Sequence, residues 1–151
     1  MNQQDALGSL SALQETLAAE HAAVFVYGVL GGRVSSASDP ITADRLRAAY
    51  EVHRSRRDQL RSSVADLDKV PVAAAPAYDL DVRSRDATEL LAVARGVEER
   101  CAAVYAQLVA SSTEGHRRWA VAALTDAAVR VLDLGGAPTA YPGAAELETT
   151  S

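Results

Sequence analysis

Four long stretches of the chain repeat apolar residues at alternating steps of three and four. This spacing places the apolar residues along one side of a helix, so each stretch predicts an amphipathic α-helix that buries one stripe. The first helix is predicted from about Gln4 to Gly31, where two adjacent glycines stop it. The second follows Asp39 and Pro40, because aspartate caps helices and proline suits their first position.

The other two helices have similar start and stop signals. The third is predicted to begin near Ser84 or Asp86, because Asp86 with Glu89 three residues later resembles a capping box. The fourth is predicted to begin after Thr113 and to end before Gly135. The residues predicted to lie on the buried stripes are, helix by helix, Leu10, Leu13, Leu17, Glu20, Val24 and Tyr27; Leu46, Ala49, His53, Arg57, Leu60, Val64 and Leu67; Ala87, Leu91, Ala94, Glu98, Cys101, Tyr105 and Leu108; and Trp119, Ala122, Asp126, Arg130 and Asp133.

The lengths of the connections predict the topology. The first and second helices, and the third and fourth, are joined by short connections, so each pair forms an antiparallel hairpin. A helix of about 25 residues is roughly 38 Å long. The linker of about 17 residues between Leu67 and Ser84 can span roughly 55 Å when extended. We therefore predict an all-α, four-helix bundle over residues 1–140, built from two hairpins with a long crossover, and an irregular tail at residues 141–151.

An internal repeat relates the two hairpins. The first helix aligns with the third at a shift of 78 positions, and the second aligns with the fourth at a shift of 73. Two similar hairpins packed about a pseudo-twofold axis would bring matched positions together at the middle of the bundle. The matched pairs include Leu13 with Leu91, Glu20 with Glu98, Tyr27 with Tyr105, His53 with Asp126 and Arg57 with Arg130.

Charged residues on the predicted stripes point to a polar centre. Arg57 and Arg130 each lie one helical turn beyond His53 and Asp126, where they can pair with carboxylates. Tyrosines on such a stripe usually fill the core and donate a hydrogen bond. The predicted core polar network is Glu20, His53, Arg57, Glu98, Asp126, Arg130, Tyr27 and Tyr105.

Composition excludes several classes of protein. The net charge is −5, and no basic stripe is interleaved with aromatic residues, so we expect no nucleic-acid binding. Cys101 is the only cysteine, which excludes an internal disulfide and fits a reducing compartment. The chain starts without a signal-peptide pattern and holds no apolar run of about 20 residues, so we expect a cytoplasmic protein without a membrane span.

Three short motifs carry a resemblance to a known superfamily. They are Ala19–Ala23 with the letters AEHAA, His53–Asp58 with HRSRRD, and Val97–Arg100 with VEER. With the predicted topology, the chain resembles the ferritin-like superfamily, and within it a small ferritin-like domain family of unknown function from high-GC bacteria. The resemblance covers most of the chain and implies a ferritin-like four-helix bundle.

The resemblance also implies a position for a metal centre. Ferritin-like metal proteins place a glutamate on each of two helices and Glu-x-x-His on each of the others. By this resemblance Glu20 and Glu98 match the single glutamates and His53 matches one histidine, whereas Asp126 stands at the second histidine position. Tyr50 and Ala123 stand where the two remaining glutamates would be. The ligands, if a metal is bound, would be Glu20, His53, Glu98 and Asp126.

Three hypotheses for function remain open from sequence. The first is a non-catalytic ferritin-like domain in which a buried Glu, Asp, His and Arg network replaces the metal, with no cofactor, acting by binding or assembly. The second is an oxidoreductase or storage protein that holds iron or manganese with the reduced ligand set. The third is an interaction module, since alanine-rich helix faces permit a homodimer. Sequence identifies no partner protein and no catalytic residue, so enzymatic activity stays open.

Overall fold

The computed structural model describes residues 3–150, and the side chains of residues 6–148. Residues 1–2 and 151, which the predicted domain limits include, lie outside the described residues. Helix α1 spans Gln3–Gly31, α2 Pro40–Ala65, α3 Ala87–Ser111 and α4 Glu114–Asp133, and a short 3-10 helix spans Ala145–Thr150. The prediction of an all-α, four-helix protein is confirmed.

The ends of the helices follow the local signals in the sequence. The Asp39 carboxylate accepts the backbone N–H of Thr42 at 3.1 Å and so caps α2. Asp86 caps α3 in the same way, accepting the N–H of Glu89. Helix α4 ends at Asp133, and Gly135 follows the capping residue with φ of +81° and bonds its N–H back to the carbonyl of Leu132.

The crossover between α2 and α3 runs along the outside of α1. In the first half of α1, Gln14 bonds to the backbone of residues 70 and 72. Phe25 then contacts the ring of Tyr78, with centroids 5.2 Å apart, and Arg33 bonds to the carbonyl of Arg83. The linker therefore runs along α1 from Gln14 to Arg33, and the predicted arrangement of two antiparallel hairpins joined by a long crossover is confirmed, with α2 and α3 parallel.

The backbone packing leaves one side of the bundle more open. Helix α1 packs against α2 and α3, and α3 packs against α4. Helices α2 and α4 are instead joined by side chains that reach across a gap. The Trp119 indole donates to Gln59 at 2.7 Å, and Arg56 pairs with Asp126 at 2.7 Å.

Two apolar clusters form the core, one toward each end of the bundle. The larger contains Tyr27, Leu30, Leu46, Leu90 and Tyr105, and the smaller contains Leu13, Leu17, Leu60, Val64 and Leu108. The buried polar residues Glu20, His53 and Glu98 lie between these clusters along their helices. No helix within the described residues is both long and apolar enough to cross a lipid bilayer.

The buried face of α4 differs from the prediction by one residue. The structure buries Ala120, Ala123 and Ala127 against the rest of the bundle. The predicted stripe through Asp126 and Arg130 instead borders the gap toward α2, where both side chains stay partly exposed. Alanines are numerous on both sides of this helix, so apolar spacing alone did not determine which side faces inward.

Candidate functional site

His53 joins α1 and α3 at the centre of the bundle. Its Nδ1 lies 2.7 Å from Glu20 Oε2, and its Nε2 lies 3.0 Å from Glu98 Oε1. All three side chains are fully buried. Burial alone would lower the pKa of His53, but the hydrogen bonds and charges of Glu20 and Glu98 outweigh it and raise the pKa to about 9. At neutral pH the ring is therefore an imidazolium, and both of its nitrogens donate to the carboxylates.

Two tyrosines complete this centre in a reciprocal arrangement. Tyr27 on α1 donates to Glu98 on α3 at 2.5 Å, and Tyr105 on α3 donates to Glu20 on α1. Tyr27 also stacks on the imidazole of His53, with ring centroids 5.2 Å apart. Burial raises the pKa of both tyrosine hydroxyls, and the neighbouring carboxylates raise it further. The hydroxyls therefore remain protonated donors that keep the glutamates in place.

Asp126 and two arginines extend the charged cluster toward the gap between α2 and α4. Arg56 lies 2.7 Å from Asp126 Oδ2 and Arg130 lies 2.6 Å from the same oxygen. Burial opposes ionisation of Asp126, but the hydrogen bonds and charges of Arg130 and Arg56 lower its pKa. The Arg56 guanidinium also lies over the ring of Tyr105, 5.3 Å from its centroid. This part of the cluster is partly exposed, with 45% of the Asp126 side chain accessible.

The cluster is electrically balanced. Three carboxylates are matched by three cations when the imidazolium is counted, and these six residues are Glu20, Glu98 and Asp126 with His53, Arg56 and Arg130. Buried charges are tolerated when they are paired and hydrogen-bonded.

One pair in the cluster is incompletely bonded. Arg130 Nε lies 3.2 Å from Glu98 Oε1, which is close enough for an ion pair. The N–H is not aimed at that oxygen, however, so Arg130 Nε has no hydrogen-bond partner among the described residues, and neither does Glu98 Oε2. We count this contact as a charge interaction only, since hydrogen bonds weaken steeply with poor angles.

The structure brings together seven of the eight residues of the predicted network and places Arg57 elsewhere. Arg57 bonds to its exposed neighbour Asp58 at 2.8 Å and does not reach the cluster. Arg56, which the sequence analysis did not select, occupies that role. Positions three and four residues beyond His53 lie on the two sides of the buried line of α2, and the internal repeat favoured the wrong one. To choose Arg56 over Arg57 from the sequence, one would have to know how α2 is rotated about its axis in the bundle.

Cys101 lies on the buried side of α3, close to the same centre. Its thiol is enclosed, and burial together with the Glu20 and Glu98 charges raises its pKa well above the ordinary value. A protonated, buried thiol is a poor nucleophile and a poor metal ligand. Cys101 therefore acts here as a small apolar residue, in agreement with its predicted place on the buried stripe of α3.

The donor set does not fit a metal ion in the arrangement that the structure shows. Both nitrogens of His53 are used as donors, so the ring has no lone pair for a ligand bond. The carboxylates of Glu20 and Glu98 each accept from a tyrosine, and Asp126 is held by two arginines. Within residues 3–150, no group of three or more histidine, cysteine, aspartate or glutamate side chains is arranged to hold a metal ion.

Comparison with known proteins gives a family and a similar fold. A family model described as "Domain of unknown function (DUF4439)" matches residues 12–146. The chain is similar to the crystal structure of a conserved hypothetical protein, Rv2844, from Mycobacterium tuberculosis. The two are 24% identical, with a TM-score of 0.78, covering 89% of this chain and 98% of the other. At that identity the similarity shows a shared fold. No curated protein matches the chain.

Proposed function

The chain belongs to the DUF4439 family, and from that premise we propose that it is a non-catalytic ferritin-like domain whose central charged cluster replaces a metal site. In this proposal the cluster is structural and the protein acts by binding another macromolecule. The observation that carries the proposal is the position of His53, whose two nitrogens span Glu20 and Glu98. The imidazolium supplies the positive charge that a cation would supply between these glutamates.

The arginines support the same conclusion by charge. Arg130 Nε lies 3.2 Å from Glu98, and Arg56 points into the cluster from α2. Two unit charges 4 Å apart interact by about 4 kcal/mol at an effective dielectric constant near 20. A divalent cation placed between Glu20 and Glu98 would therefore meet strong repulsion from His53 and Arg130, unless both side chains moved away.

The closed centre supports a role outside the cluster. Glu20, His53 and Glu98 have no accessible side-chain surface, so no substrate can contact them in this arrangement. Three large apolar side chains are instead exposed and line one groove between α4 and the C-terminal segment, namely Val129, Leu132 and Tyr141. Grouped apolar side chains on a surface are typical of interaction sites.

The alternative, an iron or manganese protein with the ligands Glu20, His53, Glu98 and Asp126, has one observation in its favour. Glu98 Oε2 is buried and has no hydrogen-bond partner among the described side chains. Using that oxygen for a metal would require His53 to lose a proton and turn away from Glu98. The alternative therefore predicts a rearranged centre in the metal-bound protein.

Metal content tests the proposal. The protein is expressed in medium supplemented with iron and manganese, purified without chelators and measured by inductively coupled plasma mass spectrometry. We expect well below one metal ion per chain. Stoichiometric metal that disappears in Glu98→Ala but persists in Glu99→Ala, its exposed neighbour, would contradict the proposal and support the metal protein.

A further inference from the structure

The gap between α2 and α4 contains a cleft at the surface of the bundle. Its volume is about 310 Å³, which is room for several water molecules at about 30 Å³ each. Over the residues that the structure describes, α2 and α4 do not pack against each other, so side chains alone form the walls of the cleft. The lining includes Ser55, Arg56 and Gln59 on α2 and Trp119 and Ala122 on α4.

Two side chains of the cleft cover one tyrosine of the buried centre. The Arg56 guanidinium lies over the ring of Tyr105, 5.3 Å from its centroid, and its Nη1 donates to the Tyr105 hydroxyl at 3.4 Å. The Trp119 ring packs edge-on against the same tyrosine, with ring centroids 5.9 Å apart. Tyr105 in turn donates to Glu20, which bonds to His53. A continuous chain of contacts therefore leads from the cleft to His53.

Arg56 is the more easily displaced of the two covering side chains. The Trp119 indole is held by a hydrogen bond of 2.7 Å to Gln59. The partner of Arg56, Asp126, is also paired with Arg130 at 2.6 Å and so keeps a cation when Arg56 leaves. The Arg56 side chain is 11% exposed, so it already borders solvent, and rotation of its flexible stem can carry the guanidinium into water.

The other sides of the centre are closed by the packing of the helices. Helix α1 packs against α2 and α3, and α3 packs against α4. Opening the bundle on any of these sides would separate packed helices and expose apolar core to water. Opening at the gap requires the movement of a single side chain. The gap is thus the side on which the least structure has to move.

We propose that Arg56 is a gate whose outward rotation admits water from the α2–α4 cleft to the hydrogen-bonded chain of Tyr105, Glu20 and His53. In the closed position Arg56 bonds to Asp126 and covers Tyr105. In the open position Asp126 stays with its second arginine, and water reaches the edge of the centre. The inference rests on the proposed function, in which an imidazolium lies between two glutamates, and adds the route by which its ring protons exchange with solvent.

Exchange of the His53 ring N–H protons with water measures how often the gate opens. The rates are measured by NMR on the nitrogen-15-labelled full chain at fixed pH. Buried backbone amides of α1 and α3 in the same sample report global unfolding, because they exchange only when the whole bundle opens. We expect Arg56→Ala to accelerate ring N–H exchange at least about tenfold relative to those amides.

A second variant leaves the gate in place and weakens its closed position. A neutral amide makes a weaker hydrogen bond to a guanidinium than a carboxylate does, so we expect Asp126→Asn to accelerate exchange about threefold or more. Arg56→Ala and Asp126→Asn change the local charge in opposite directions, so acceleration by both reports access and not attraction of hydroxide. Arg57→Ala is the control, since Arg57 pairs with the exposed Asp58, and it should leave the rate unchanged.

Two results would overturn this inference. One is ring N–H exchange that follows the buried amides in Arg56→Ala, because exchange would then require global unfolding. The other is an equal acceleration by Arg57→Ala. A failure of the proposed function has a different signature in the same spectra, namely a His53 ring with only one N–H at neutral pH. That remaining proton still reports the gate, so the two failures are distinguishable.

Discussion

The Tyr27 hydroxyl donates a hydrogen bond to Glu98 across the α1–α3 interface, with an O–O distance of 2.5 Å. Tyr105 and Glu20, which the internal repeat matches to Tyr27 and Glu98, make the same contact in the opposite direction. The two pairs enclose His53, which bonds to both glutamates. Pseudo-twofold symmetry thus places two acidic residues at the centre of the bundle, and one imidazolium lies between them.

The tyrosine hydroxyls should contribute measurably to stability. We expect Tyr27→Phe and Tyr105→Phe each to lower the free energy of unfolding by about 1–3 kcal/mol, because each removes a donor from a buried carboxylate. Urea unfolding followed by circular dichroism measures the change. Tyr141→Phe is the control, since this tyrosine is 47% exposed and should change stability by less than about 0.5 kcal/mol. Equal effects in all three variants would show that the hydroxyls do not support the glutamates.

Two adjacent arginines should differ in their effect. Arg56→Ala removes one of the two arginine partners of Asp126 and the cation over Tyr105, and we expect it to cost about 1–3 kcal/mol. Arg57→Ala removes an ion pair with an exposed aspartate and should cost less than about 1 kcal/mol. The free energy of unfolding of both variants decides the assignment. A larger loss for Arg57→Ala would return that residue to the network, as the sequence had predicted.

Stability should fall on the alkaline side of neutrality. The pKa of His53 is raised from 6.5 to about 9 by folding. Because the folded protein binds the His53 proton more tightly, protonation of His53 stabilises the folded state fully below pH 6.5. This contribution is lost as the pH rises through the folded-state pKa of about 9. The shift corresponds to about 3 kcal/mol. The free energy of unfolding, measured with urea between pH 6.5 and 9, should decline as the pH rises. The control variants His21→Gln and His116→Gln should show the same decline. A flat profile between the two pKa values would contradict a protonated His53.

The sequence was sufficient for the helices and their topology because the signals are local. Asp39, Asp86 and Gly135 mark helix ends through their own backbone contacts, and the linker length alone permits a crossover along the bundle. The burial of Glu20, His53 and Glu98 also followed from periodicity, since the predicted stripes of α1, α2 and α3 face the core at these three positions.

What sequence could not determine depends on the rotation of each helix. Arg56 and Arg57 are equivalent by spacing, and only the placement of α2 against α4 selects Arg56. The buried side of α4 was misassigned by one residue for the same reason, because alanines occur on both sides of Asp126. The apolar groove depends on the contact of Gly143 with Ala102, which joins segments distant in sequence and leaves no local pattern.

The protonation state of His53 in the folded protein tests the central claim most directly. Nitrogen-15 NMR of the histidine side chains, with His53 assigned by comparison with His21→Gln and His116→Gln, reports whether each ring nitrogen carries a proton. We predict that both nitrogens of His53 are protonated at neutral pH and that the ring titrates with a pKa of about 9. A neutral ring at that pH, with one nitrogen bare or bound to a metal ion, would contradict the account.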